Sequence, residues 1–247
     1  MKKSFLLLGL MFAFAITRAQ DSTAKKKKDR SKVSMANRPK DHLMFQLGSL
    51  RWLQAPDSIA TKGLARSFNA YFVFDFPFKT DPRFSVGIGV GFGTDNMFFD
   101  KNAKRDLNII NSSAFRFTKN TGVDTAIRYK SIKLQTGYLE APVELRFMSK
   151  PDQPNKSWKI ALGVKVGTML TATDKTRFER DAAGNVQFTR KEKDKRHFNG
   201  TRLAPTFRIG YGNIGVFAQY QINDFIKEGQ GPSQIRPLTI GLVITGL

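Results

Sequence analysis

Residues 66–99 read RSFNAYFVFDFPFKTDPRFSVGIGVGFGTDNMFF. Phe68, Ala70, Phe72, Phe74, Phe76 and Phe78 share one parity, and Asn69, Tyr71, Val73, Asp75 and Pro77 share the other. After the turn Lys79-Thr80-Asp81-Pro82-Arg83, the residues Phe84, Val86, Ile88, Val90 and Phe92 alternate with Ser85, Gly87, Gly89, Gly91 and Gly93. A period of two sends successive side chains to opposite faces of a pleated strand, so the stretch reads as a β-hairpin. In each strand one face is bulky and apolar, the other small or polar. A soluble sandwich or barrel turns its large side chains inward. Five Phe on one face, followed by a run of Gly on the other, suit the reverse, with bulk against lipid and small groups lining a narrow lumen.

The same pattern recurs outward from this hairpin. A first strand is expected from His42 to Trp52 and a fourth from about Ile132 to Met148, where Leu139, Ala141, Val143, Leu145 and Phe147 alternate with Tyr138, Glu140, Pro142, Glu144 and Arg146. A fifth, Trp158 to Thr171, sets Ile160, Leu162, Val164 and Val166 against Ala161, Gly163, Lys165 and Gly167. Three more are expected near 202–212, 214–222 and 236–247. The eight strands are joined by connections of roughly 14, 5, 32, 9, 30, 2 and 12 residues. Long and short connections alternate when a barrel has one rim outside the cell and the other in the periplasm. Aromatics beside the short turns (Phe78, Phe84, Phe147, Trp158, Tyr211) stand where an interfacial girdle belongs. The fold expected is therefore all-β: an eight-stranded, antiparallel, up-and-down transmembrane β-barrel over residues 42–247.

The formal charge of +21 and a pI near 10.3 would suggest nucleic acid as a partner. The first residues point elsewhere. Met1-Lys2-Lys3, the apolar run Phe5 to Ile16 and Thr17-Arg18-Ala19 read as a secretory signal over 1–19, too short for a spanning helix. Phosphorylated lipid is then the commoner polyanion, and nucleic acid is not expected. The chain has no cysteine, which excludes disulfides, a thiol nucleophile and a thiolate metal site. Residues 20–41, with Lys25 to Lys28, Arg30, Lys32, Arg38 and Lys40, read as a basic disordered tail.

The segment Tyr138-Leu139-Glu140-Ala141-Pro142-Val143-Glu144-Leu145-Arg146-Phe147 resembles the porin-family, PorT-like outer-membrane β-barrel proteins, in which a Tyr-Leu-Glu-x-Pro run enters an apolar–basic strand end. The likeness in layout extends over about Leu43 to Leu247. Two features depart from it: the last residues, Ile244-Thr245-Gly246-Leu247, lack a terminal aromatic, and the loops are unusually basic. The resemblance implies an eight-stranded barrel in the outer membrane of a Gram-negative cell, and little about activity.

Within the lumen, counting from the short-turn rim sets Glu140 level with Lys165, and Glu144 level with Arg208. Ion pairs are expected there, with Asp75 joining from strand two, because an unpaired buried ion costs several kcal/mol in desolvation. The bland reading of this set is a structural plug, since eight strands leave an interior just wide enough for side chains. The sharper reading is a narrow ion path. Tyr71 and Tyr138 are expected to fill the groove left by the glycines.

Between Arg177 and Arg196 lie Arg177, Arg180, Arg190, Lys191, Lys193, Lys195 and Arg196, interrupted by Glu179, Asp181, Glu192 and Asp194. They read either as a solvated hairpin about Ala183-Gly184-Asn185 or as contacts to phosphate on lipopolysaccharide or an acidic partner. His42 and His197 have no nucleophile in a recognisable context, and His/carboxylate spacing suggests no metal site. Neither catalysis nor a cofactor is expected. The functional expectation is a non-enzymatic envelope scaffold or interaction module; the alternatives are an accessory part of a secretion or uptake system, a small pore, and a soluble lipocalin-like carrier with its Phe face inward.

Overall fold

The computed structural model describes residues 43–56, 59, 61, 65–100, 105–108, 114–119, 129–179, 188–232 and 234–246. The signal, the basic tail, Arg180 and the Ala183-Gly184-Asn185 turn lie outside the described residues. Eight strands form the barrel: β1 (Leu43–Leu53), β2 (Arg66–Pro77), β3 (Phe84–Phe99), β6 (Tyr129–Met148), β7 (Trp158–Phe178), β9 (Thr201–Tyr211), β10 (Ile214–Tyr220) and β11 (Arg236–Thr245). Each pairs antiparallel with its neighbours in chain order. Pairing of β1 with β11 closes the ring, as Met44 faces Thr245 and Leu53 faces Arg236. Closure leaves no sheet edge in the hydrocarbon, where an unpaired backbone amide would have no water to bond. Two smaller elements stand beyond the long-connection rim: the hairpin β4 (Arg105–Asn108) with β5 (Arg116–Lys119), and β8 (Thr189–Lys193), which pairs with the outer end of β7.

The faces are arranged as lipid requires. Phe68, Phe72, Phe74, Phe76 and Phe78 are exposed, whereas Tyr71 and Val73 are buried. Leu162 and Ile214 expose 63 % and 65 % of their surface, too much for a protein in water when some thirty large apolar side chains do likewise. The carrier alternative, which needs the Phe face inward, is overturned by this arrangement. From Ile160 to Leu170 the outward side of β7 is apolar apart from Thr168, a band about 26 Å tall at about 3.4 Å per residue and a tilt near 40°. At the short-turn rim Phe84 meets Phe147 (ring centroids 5.2 Å apart) and Trp158 meets Tyr211 (5.6 Å), forming part of an aromatic girdle.

One residue alters the phase of β7. Gly137 faces Thr171 but Tyr138 faces Met169, so Leu170 is an extra residue in the ladder. Below this bulge Lys165 and Met169 point inward; above it Ala172, Asp174, Thr176 and Phe178 do. Lys175 and Arg177 consequently face outward. A bulge re-aims side chains in this way because the side-chain period is two.

The outer mouth is closed by apolar side chains. Trp52, Phe99, Ile132, Leu134 and Met169 from the barrel wall pack with Ile59, Phe115, Phe198, Phe225, Ile226 and Ile235 from the long connections. The rings interlock: Trp52 lies 5.5 Å from Phe99 and 5.2 Å from Phe225, and Phe198 lies 5.3 Å from Phe115 and 5.1 Å from Phe225. His197, expected in a solvated charge run, is buried beside this cap with Nδ1 2.8 Å from Gln230 Oε1. Its neighbour Phe198 anchors the segment, which draws the histidine out of water.

Candidate functional site

Beneath the cap most of the charged lumen groups stand on β3, β6, β7 and β9; on the other side Met44, Tyr71, Val73, Phe217 and Val243 cluster beside the buried but uncharged Gln46, Asn69, Gln219 and Thr239. The upper polar layer centres on Glu140. This carboxylate accepts from Lys165 Nζ at 3.1 Å, from Arg202 Nη1 at 3.0 Å and from the Tyr71 hydroxyl. Lys165 also donates to the Tyr71 oxygen at 2.9 Å and to Gln219 Oε1 at 2.5 Å. Arg202 donates to Asp95 through Nη2 and to Gln221 Oε1 at 3.2 Å, with its guanidinium 3.6 Å from the centroid of the Tyr138 ring. Two cations therefore meet two carboxylates, and every member is buried.

The lower layer, nearer the short turns, is a second set of two and two. Arg208 grips Glu144 through Nε at 3.0 Å and Nη2 at 2.5 Å, while Arg146 Nε and Nη2 reach Glu144 Oε2 at 3.0 Å. Arg146 Nη1 lies 3.9 Å from Asp75 Oδ1. A cavity of about 40 Å³ adjoins this layer at the inner mouth, lined by Asp75, Ser85, Arg146 and Arg208 among others. It has room for a water or two. Each layer is neutral when its groups carry their ordinary charges, which is the condition under which ions can be held in a low-dielectric interior.

The glycine lane of β3 makes this packing possible. A Cβ on Gly93 would come within 2.6 Å of Glu140 Oε2, and one on Gly91 within 2.7 Å of the Tyr71 ring and 2.1 Å of the Ala70 carbonyl oxygen. The groove is occupied by Tyr71, Val73, Glu140 and Arg146. Tyr138, expected to share it, instead lies against Arg202.

Glu140 with Lys165, Glu144 with Arg208, and Asp75 through Arg146 are thus brought together. Arg202 and Asp95 were not among the expected partners, although Arg202 has inward parity on its strand. The seven cations of the third long connection do not form one group. Arg177, Lys191 and Lys193 point outward. Arg190 turns to the other face of the hairpin, 3.8 Å from Asp174, 3.4 Å from Glu192 and over the Phe178 ring. Lys195 donates to the Met169 carbonyl at 3.2 Å, and Arg196 pairs with Asp194 at 2.7 Å. Among the described residues, no three His, Asp or Glu side chains converge as a metal site would require.

A closed eight-stranded barrel with a lipid-facing apolar belt defines an outer-membrane β-barrel protein. The chain belongs to the outer membrane protein beta-barrel domain family, whose model matches residues 4–225, and its place is the outer membrane. Among solved structures it is similar to Ail, the attachment invasion locus protein of Yersinia pestis, crystallised in complex with the heparin analogue sucrose octasulfate. The two are 10 % identical with a TM-score of 0.30, over 82 % of this chain and 95 % of Ail. No curated protein matches the chain in sequence.

Proposed function

We propose that this outer-membrane barrel is non-enzymatic and acts as an envelope scaffold or interaction module, working through its outer surface rather than its interior. In this reading residues 1–19 are a removed leader, and the contact segments are the long outer connections together with the basic tail over 20–41, which leads into β1 at the opposite, short-turn rim. The filled lumen is the observation that supports it most. Two neutral layers of paired charge and an apolar cap occupy the interior, which favours a plug over a conducting path. The segment Tyr138–Phe147 supports a second reading, an accessory component of a secretion or uptake system, by its resemblance to PorT-like proteins.

Crosslinking of the tagged protein in cells, followed by mass spectrometry of the extracted outer membrane, tests both. Recovery of discrete envelope partners is expected. If those partners are subunits of one secretion or transport machine, the accessory reading takes precedence. Ion conductance by the purified protein would overturn the interaction-module reading.

A further inference from the structure

The outer extension of the barrel segregates its charges by face. On the outward side β6 presents Ser131, Lys133 and Gln135, β7 presents Thr171, Thr173, Lys175 and Arg177, and β8 presents Thr189, Lys191 and Lys193. None of these ten residues is acidic. The acids of β7 and β8, Asp174 and Glu192, lie opposite one another on the other face. Register places Lys133 directly across from Lys175, and Lys175 directly across from Lys191. Three lysines thus form one row across three adjacent strands, with Arg177 and Lys193 beside it.

Like charges facing one another across a ladder destabilise it unless something neutralises them. Lys133 shows the tension. Burial first, and then the charges of Lys175 and Arg177, lower its pKa from the ordinary lysine value. Its hydrogen-bond partner is the neutral Asn96, whose Oδ1 accepts from Nζ at 2.9 Å. Lys175, Arg177, Lys191 and Lys193 have no acidic partner among the described residues.

The height of the row tells what meets it. Thr173, opposite Lys193, and Lys175 stand three and five residues beyond Leu170, the top of the apolar band. That is about 8–13 Å above the hydrocarbon edge at about 3.4 Å per residue and a tilt near 40°. Directly beneath, on the same two strands, Leu139, Val166 and Leu170 are exposed. A cationic row above an apolar strip fits a ligand with anionic head and acyl tail better than an acidic protein, which would have no use for the strip.

We propose that the outward face of β6, β7 and β8 docks lipopolysaccharide, with Lys133, Lys175 and Lys191 taking a headgroup phosphate, Arg177 and Lys193 flanking it, and an acyl chain lying on Leu139, Val166 and Leu170. The site rests on the reading of the outer surface as the working surface. It narrows the basic residues of the third connection to those on one face and adds two lysines from the barrel wall.

The test uses the full chain folded in detergent micelles, titrated with bisphosphorylated lipid A, dephosphorylated lipid A and inorganic pyrophosphate, with bound ligand counted by native mass spectrometry. The phosphorylated lipid should bind about tenfold or more tighter than the dephosphorylated one. The advantage should fall as salt rises and vanish in the triple variant Lys133→Gln, Lys175→Gln, Lys191→Gln. Equal binding of the two lipids, or an undiminished advantage in the triple variant, would overturn the site. So would pyrophosphate binding as well as the lipid, which would make free phosphate the ligand. If the triple variant fails to fold, Lys191→Gln with Lys193→Gln, confined to β8, should still weaken the advantage, and an unchanged advantage there would equally overturn the site. Failure of this site with discrete protein partners still recovered by crosslinking would leave the interaction-module reading intact.

Discussion

Replacing Glu140 by Gln keeps the side chain's shape and removes its charge, which isolates the electrostatic role of the upper lumen layer. In the native barrel Glu140 faces Lys165 at 3.1 Å and Arg202 at 3.0 Å, and all three are buried. After the change these two cations share Asp95 alone, and the layer carries one uncompensated positive charge. Breaking a buried pair from one side costs about 3–5 kcal/mol, because the abandoned ion remains desolvated. The folding equilibrium should therefore fall by about two to nearly four powers of ten. Adding Lys165→Met restores neutrality, so the double variant should recover at least half of the loss despite forfeiting the bonds from Lys165 to Gln219 and Tyr71. Urea titration of folding into lipid vesicles, followed by Trp52 and Trp158 fluorescence and by heat-modifiable gel migration, reads the quantities needed for the cycle. In a water-filled path the ions would be hydrated and the single change would cost less than about 1 kcal/mol. That small loss, or a double variant no better than the sum of its parts, would refute the reasoning.

Three further outcomes are expected. Purified protein in planar bilayers should show no unitary current; steps that disappeared in a Lys165→Met protein would make the lumen a path and not a plug. Gly91→Val should prevent barrel formation, since even a Cβ there lies 2.1 Å from the Ala70 carbonyl oxygen, whereas Gly200→Ala, with no atom within 4 Å, should change stability by less than about 0.5 kcal/mol; heat-modifiable migration separates the two. Phe198→Ala removes a ring that touches both Phe115 and Phe225, and should cost about 3–5 kcal/mol and open the long connections to protease while detergent still protects the barrel strands.

The barrel was legible because its constraints are local and periodic. A strand buried in lipid on one side must show bulk at every second position, and Phe68 to Phe78 and Phe84 to Phe92, on either side of the turn, show it with Ala70 as the one exception. Short hairpins then fix register: with only Gly212-Asn213 between β9 and β10, Ile214 must face Tyr211. Heights counted from that rim suffice to place Glu140 near Lys165 and Glu144 near Arg208. Arg202 and Asp95 lie in ladders without a shift, Arg202 facing Gly167, which in turn faces Glu140, so register alone sets Arg202 level with Glu140; what a count of heights does not give is the reach of its guanidinium across the lumen to Asp95. The extra residue Leu170 lies above them, and nothing in Thr168-Met169-Leu170-Thr171 marks which position the ladder will skip.

The cap is not legible in the sequence, for the opposite reason. Phe115, Phe198, Phe225 and Ile226 stand as isolated apolar residues or a single pair in polar connections, where no period announces a common face. Only closure of the barrel makes them neighbours, by bringing four connections to one mouth about as wide as a few aromatic rings. The bulge at Leu170 sets the outer face of β7. Had the ladder run without Leu170, Asp174, Thr176 and Phe178 would point outward and Lys175 and Arg177 toward the cap, burying two cations beside Ile132 and Leu134. The extra residue removes that conflict, and in doing so gathers the lysines on the side that meets the lipid headgroups.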